Sequence, residues 1–158
     1  MASSSLPHPR RIVASNLPIE AAGKSSTFTE PAVEVLDETI APVSIFGGVM
    51  QRATVATIPS VPASNDGHGG VKLDEVPGAG VVLPGGVNVY FLDLAPGYES
   101  PVHRTVSTDY VVVQEGTPTF VTPKGPFSIV DGKGTYQSVK ETACKPGDVI
   151  AQRGSMHA

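Results

Sequence analysis

Three side chains in the second half of the sequence have the types and spacing of a metal site. His103 is followed six residues later by Asp109, and His157 stands next to the last residue. Two imidazoles and one carboxylate form a facial ligand set that suits Fe(II), and that Zn or Mn can also occupy. Three protein ligands leave coordination positions open for water, a substrate or dioxygen. The residue types therefore predict a centre for a divalent metal, with Fe(II) favoured.

Strand alternation gives the reason to place these side chains together. Successive side chains of a β-strand point to opposite faces. If Val111 and Val113 face an apolar interior, His103 and Asp109 have the same parity and face it too, where an unpaired charge is costly. Pairing between the two, or a shared cation, would relieve this cost. The alternative interpretation is two unrelated surface histidines and an edge-strand aspartate.

Glycine- and proline-rich turns divide the chain into short strands. Gly and Pro supply roughly a fifth of the residues, well above average. Strands are predicted over 10–14, 27–35, 43–58 with a break at Gly47-Gly48, a short segment from 81 to the turn at 84–86, 87–94, 102–105, 109–114, 117–122, 127–130, 135–140 and 149–153. Residues 131–134 have the composition of a hairpin turn. Short strands with turns every 8–12 residues or so are typical of an all-β sandwich or barrel.

Composition narrows the class of protein further. A length of 158 residues suits one domain, which we place at 10–158 behind a flexible arm at 1–9. The net charge of −4 argues against a nucleic-acid partner. One cysteine, Cys144, excludes an internal disulfide and fits a reducing compartment. Because neither a secretory apolar segment nor a membrane-spanning run is visible, we expect no membrane partner and a cytoplasmic location.

Two glycine-bounded segments resemble the two motifs of the cupin superfamily. The first motif, G-x5-H-x-H-x3-4-E-x6-G, corresponds to the segment 97–116. There His103 matches the first histidine, Thr105 replaces the second, and Asp109 replaces the glutamate. The second motif, G-x5-P-x-G-x2-H-x3-N, corresponds to 147–157 with one residue fewer, with Arg153 at the proline position and His157 as the histidine.

A narrower resemblance is to small single-domain fungal cupins. It rests on the segments PRRIV, LPGGVNVYFLDLAPG, HRTVSTDYVVV and PGDVIAQRGSMHA. Some of these cupins lie in gene clusters for aromatic polyketides, where they are assigned as oxidoreductases or accessory enzymes. The resemblance implies a cupin-type β-barrel or jelly roll, a homodimer, and a metal held by His103, Asp109 and His157.

The function implied by this resemblance is a metal-dependent oxidoreductase of secondary metabolism that acts on a small aromatic or polyketide-derived molecule. Thr105 is either an inert core residue or a residue that hydrogen-bonds to a metal-bound water. Gln152 has the opposite parity to His157 and is interpreted as structural. We expect apolar residues on the strands to line the substrate pocket, namely Val87, Val89, Phe91, Val111 and Val113.

Other readings of the same residues stay open. Because the sequence stops at Ala158, directly after His157, we expect a cupin fold without its last strands, a weakly held His157, and a sheet edge that a dimer partner would cover. The alternatives are a non-enzymatic small-ligand-binding cupin, an inactive truncated remnant, and a metal-independent cyclase or isomerase. In the irregular segment 60–80, His68 is either an exposed loop residue or part of a lid.

Overall fold

The computed structural model describes residues 6–19, 30–126, 128–130, 133–135 and 138–158. Within these residues the regular elements are β-strands and one short 3-10 turn, Phe46–Gly48. The prediction of an all-β fold is confirmed. The chain divides into two compact units, Met1–Tyr98 and Glu99–Ala158, which are taken in turn. A single domain over 10–158 stays a prediction, and residues 1–5 of the predicted arm lie outside the described residues.

The described residues of the first unit form two antiparallel ladders. One pairs two strands and the other three, with the longest strand in the centre. The strands are β1 (Arg10–Asn16), β2 (Val33–Thr39), β3 (Val43–Ile45), β4 (Met50–Ile58) and β5 (Val87–Leu94). Ala53 and Thr57 on β4 are buried, so the central strand supplies the core of this unit.

The bounds of β2 differ from the strand predicted at 27–35. The strand begins only at Val33, two residues after Pro31. Proline has no N–H to donate to a ladder, which explains a start beyond it. Residues 27–29 lie outside the described residues. In contrast, the predicted break at Gly47-Gly48 is confirmed, because both glycines have positive φ values, which favour glycine, and separate β3 from β4.

In the described residues of the second unit, eight short strands form antiparallel pairs. The pairs join β6 to β13, β7 to β12, β8 to β11 and β9 to β10. The strands are β6 (His103–Arg104), β7 (Thr108–Val112), β8 (Thr119–Pro123), β9 (Ser128–Val130), β10 (Lys133–Thr135), β11 (Val139–Ala143), β12 (Val149–Arg153) and β13 (Met156–His157). Within the described residues these ladders do not close into a barrel.

Two predictions in this unit can be compared with the ladders. Strands β9 and β10 pair as the predicted hairpin requires, although turn residues 131 and 132 lie outside the described residues. The predicted strand at 135–140 is wrong in its bounds. The structure places β10 at Lys133–Thr135 and β11 at Val139–Ala143, and residues 136–137 lie outside the description.

The last strand is held on both sides. β13 pairs with β6, and beyond it Ala158 exchanges two backbone hydrogen bonds with Val121 of β8, at 2.9 and 3.0 Å. We expected His157 to be weakly held. The structure differs because the next residue, Ala158, is hydrogen-bonded to Val121 on the other side, and backbone that is paired in this way is held in place. This pairing fixes the backbone of His157 between two strands.

Candidate metal centre

His103 and His157 stand directly opposite each other in the β6–β13 ladder. Opposed residues of antiparallel strands have Cβ atoms about 5 Å apart. The two imidazole ring centroids are 4.5 Å apart, with their planes tilted by 50°. The fold therefore brings together the two histidines that the two sequence segments supply.

Each imidazole ring has its Nδ1 atom close to a backbone carbonyl oxygen. Nδ1 of His103 lies 2.9 Å from the carbonyl oxygen of Pro101, and Nδ1 of His157 lies 3.0 Å from that of Ser155. A carbonyl oxygen only accepts, so these contacts fit the tautomer with the proton on Nδ1. Nδ1 of His157 also lies 3.1 Å from Gln152 Nε2, a donor that fits the other tautomer. In the Nδ1–H form each Nε2 would present a lone pair, and no described residue hydrogen-bonds to the Nε2 atom of either ring. Metal-ligating histidines commonly have this arrangement, with the other ring N–H held by a backbone carbonyl.

The carboxylate of Asp109 is held by two hydroxyl groups. Thr105 Oγ1 donates to Asp109 Oδ2 at 2.9 Å, and Ser107 Oγ donates to Oδ1 at 2.6 Å. Asp109 lies in β7 and is only partly exposed. The hydroxyl of Thr105 therefore hydrogen-bonds directly to the carboxylate of a proposed metal ligand, Asp109.

The donor set can be tested against a divalent metal. The two imidazoles fit, because the rings are neighbours and each would offer an Nε2 lone pair in the Nδ1–H form. Among the described residues, however, no group of three or more His, Cys, Asp or Glu side chains is arranged to hold a metal ion. The Asp109 carboxylate is therefore not grouped with the two rings in this arrangement. The three-ligand set of His103, Asp109 and His157 stays a prediction.

Gln152 is part of this cluster, although its strand parity suggested a purely structural residue. Its side chain is buried, with 3% of its surface exposed. Its Nε2 atom donates to Ser155 O at 2.9 Å and lies 3.1 Å from Nδ1 of His157. Parity failed here because the turn at Gly154 separates β12 from β13, so alternation does not continue from one to the other. The sequence feature that could have indicated this contact is the position of Gln152, an amide side chain, on the same face of β12 as Ile150.

The predicted pocket residues fall in different parts of the chain. Val113 in the second unit is buried, whereas Val111 is about half exposed. The other three lie on β5 of the first unit and are each more than a third exposed: Val87, Val89 and Phe91. Because the five residues belong to two separately described units, a common pocket stays a prediction.

The remaining histidine of interest, His68, lies in the irregular segment and is exposed. Its neighbour Gly69 donates its N–H to Glu34 Oε2 at 2.7 Å. The choice between an exposed loop residue and a lid residue stays open. No helix within the described part of the chain has the length and apolar character that crossing a membrane requires.

Comparison with known proteins bears on the identity of these motifs. No protein-family model matches the chain. A cupin-domain-containing oxidoreductase of Aspergillus ruber (strain CBS 135680), fogC, is 32% identical over 96 residues, which is 61% of this chain and 40% of that protein. The predicted resemblance to fungal cupin proteins is confirmed. Two phomopsin biosynthesis cluster proteins of Diaporthe leptostromiformis, D and C', are each 38% identical over 78 residues, 49% of this chain and 34% of each protein.

The chain spans less than half the length of these curated relatives. The ladder of β6 and β13 pairs His103 with His157, the two residues that resemble the histidines of the two cupin motifs. The residue at the second histidine position, Thr105, hydrogen-bonds to the residue at the glutamate position, Asp109. Thr105 and Asp109, the two residues that differ from the first motif, are therefore in contact with each other.

Proposed function

We propose that this chain is a cupin-type oxidoreductase of secondary metabolism that uses a divalent metal, Fe(II) in preference to Zn or Mn. Its substrate class would be small aromatic or polyketide-derived metabolites. Similarity to a cupin-domain-containing oxidoreductase and to two biosynthesis-cluster proteins supports the reaction class. The observation that carries the metal is the facing pair of His103 and His157, each with Nδ1 against a backbone carbonyl.

Each residue of the cluster has a separate part in this proposal. His103 and His157 supply Nε2 atoms as ligands, and the carbonyls of Pro101 and Ser155 hold their rings. Asp109 supplies the carboxylate, which has to turn toward the rings from the arrangement described above. When bound, the metal would supply a Lewis acid and a centre for dioxygen chemistry.

Metal content tests the proposal. Protein purified without an affinity tag is analysed for iron, zinc and manganese, together with the variants His103→Ala and His157→Ala. We expect nearly one metal per wild-type chain and at least a tenfold loss in both variants, because each removes one of two nitrogen ligands. The matched control is His68→Ala, which removes an exposed histidine in the first unit and should leave the metal content unchanged.

Thermal denaturation with added metal gives a second readout that does not depend on activity. A ligand that binds only the folded state stabilises it by about 2.7 kcal/mol at a hundredfold excess over Kd. The wild type and His68→Ala should therefore gain Tm with added Fe(II), Zn or Mn, and the two site variants should not. Asp109→Asn should show an intermediate gain if the carboxylate is the third ligand.

Metal-free function is the second candidate, and the absence of a three-ligand group among the described residues favours it. Folded wild-type protein without metal, and without a metal-induced rise in Tm, would overturn the metal-dependent proposal. Retained binding of apolar small molecules would then indicate a ligand-binding cupin. Turnover that survives chelation would indicate a metal-independent cyclase or isomerase.

A further inference from the structure

We infer that the sheet face that carries His103 and His157 binds a negatively charged aromatic molecule, with Phe120 beside its ring and Lys140 against its carboxylate or phenolate. The inference rests on the proposed function only for the use of this molecule as a substrate, and it narrows the substrate class to aromatic compounds that carry an acidic group. The pairing of four strands in the second unit carries the rest.

Backbone pairing places two further side chains in line with the two histidines. Ala158 and Val121 exchange both of their backbone hydrogen bonds, so they stand directly opposite each other in an antiparallel pair. His157, one residue earlier, therefore stands opposite Thr122 of β8. Thr122 is paired in turn with Lys140 of β11. Directly opposed residues point to the same face of a sheet. The result is a row of side chains across the strands β6, β13, β8 and β11: His103, His157, Thr122 and Lys140.

Phe120 borders this row on one side. It precedes Thr122 by two residues on β8 and therefore faces the same way. Its ring centroid lies 5.6 Å from that of His157, with the two planes tilted by 33°. The side chain is partly exposed, so a planar ligand that lies over Thr122 can contact the phenyl ring. Aromatic rings at such distances attract each other beyond the burial of their surface.

Lys140 gives this face a positive charge, although the chain has a net charge of −4. Its side chain is exposed, and no carboxylate among the described residues forms an ion pair with it. The acidic residue of these four strands, Glu141, follows Lys140 directly and so points to the opposite face. An ammonium group on a face to which these strands contribute no carboxylate favours a ligand with a negative charge.

The spacing of the row sets the length of the ligand. Neighbouring strands lie about 4.8 Å apart, so His157 and Lys140, which are two strands apart, are separated by roughly 10 Å. The residue between them, Thr122, is small and leaves space above the sheet. A bicyclic aromatic acid covers this span. Its acidic group would then lie at Lys140, and the far end of its ring system would lie beside the two imidazoles.

Titration calorimetry with two matched probes tests the charge. The probe 2-naphthoate is a bicyclic aromatic acid, and 2-naphthamide has the same ring system without the charge. The protein is titrated as purified and after chelation. We expect the wild type to bind 2-naphthoate about three- to fivefold more tightly than 2-naphthamide, and Lys140→Gln to remove this difference by weakening only the 2-naphthoate complex. The matched control is Lys145→Gln, which removes another exposed lysine of the same unit and should bind both probes as the wild type does.

The same two probes test the aromatic contact. Phe120→Leu keeps an apolar side chain and removes the ring, so we expect it to weaken 2-naphthoate and 2-naphthamide by the same factor, about two- to tenfold. Phe46→Leu, which removes an exposed phenylalanine of the first unit, should leave both affinities unchanged. If Phe120→Leu does not fold, Lys140→Gln alone decides the inference, because its side chain is exposed and its loss does not disturb a core.

The inference and the proposed function fail in different ways. A wild type that does not bind 2-naphthoate, or that binds both probes equally, would overturn the inference whether or not the protein contains metal. Equal losses in Lys140→Gln and Lys145→Gln would also overturn it, because the effect would then be one of net charge. Binding of 2-naphthoate that depends on Lys140 in a protein without metal would support the inference and contradict the metal-dependent function.

Discussion

Two adjacent arginines at the start of β1 differ in burial, and we expect them to differ in how much they stabilise the fold. Arg10 pairs with Asp37, and both side chains are more than half exposed. Arg11 is only 12% exposed and donates both to Glu38 Oε1 and to the carbonyl oxygen of Val55, at 2.8 and 2.7 Å. The second arginine therefore links the β1–β2 ladder to β4 of the neighbouring ladder, and the first links only two strands that already pair.

We expect Arg11→Met to destabilise the protein by about 1–2 kcal/mol, because the carbonyl of Val55 loses its charged donor. Arg10→Met should have little effect, since exposed ion pairs contribute little. The two free energies of unfolding, measured by urea denaturation, provide the comparison. Equal losses in the two variants would contradict the bridging role of Arg11.

At the level of elements, the irregular segment between β4 and β5 is attached to the sheet at defined points. Thr57 of β4 forms two hydrogen bonds with Asp74, one through its hydroxyl as donor and one as acceptor. Arg52, also on β4, donates to the carbonyl oxygens of Ala79 and Gly80 at 2.9 and 2.8 Å. A long loop that is bonded in this way behaves as part of the sheet unit, so its length alone does not indicate a lid.

Gly80 allows a direct test of the Arg52 contact. A Cβ atom at Gly80 would lie 2.6 Å from the guanidinium of Arg52, and φ there is 73°. Gly85 has almost the same φ, 74°, but nothing lies within 4 Å of its Cβ position. Gly85→Ala therefore carries only the backbone cost, about 1 kcal/mol. We expect Gly80→Ala to cost about 1–2 kcal/mol more, because it also displaces the arginine.

Urea denaturation of Gly80→Ala and Gly85→Ala measures this difference. Arg52→Met and the double variant Gly80→Ala/Arg52→Met complete a double-mutant cycle. In the Arg52→Met background, Gly80→Ala should cost no more stability than the backbone cost alone. If Gly80→Ala and Gly85→Ala lose the same stability in the wild-type background, the Arg52 contact with this segment makes no net contribution.

Local patterns predicted some elements well and others poorly. The bounds of β5 and β12 agree with the predicted strands 87–94 and 149–153, because alternation between flanking turns is a property of the segment itself. The pairing of Ala158 with Val121 is a contact between distant parts of the chain, which no local pattern contains. The contact of Gln152 with His157 joins residues only five apart, but it depends on a turn between two strands, which the alternation within a strand does not describe. The histidine pair was predictable only because two motifs each named one member.

For the whole molecule, acidic residues outnumber basic ones by 15 to 11, and two of the acidic groups connect stability to pH. Hydrogen bonding to Arg10 lowers the pKa of Asp37, and hydrogen bonding to Arg11 lowers that of Glu38. In the unfolded chain both return to the ordinary range near pH 4. Their contribution is therefore present above that range and is lost as the pH falls through the lowered values.

The expected outcome is a Tm that falls more steeply below about pH 4 in the wild type than in Asp37→Asn/Glu38→Gln. Scans of Tm from about pH 6 to about pH 2.5 give the two slopes. The difference should shrink at high salt, because both carboxylates are exposed enough for ions to screen them. Glu75→Gln, which removes an exposed acidic charge from the same unit, should follow the wild-type curve. Parallel curves for the wild type and the double variant would mean that the two arginine pairs do not connect folding to pH.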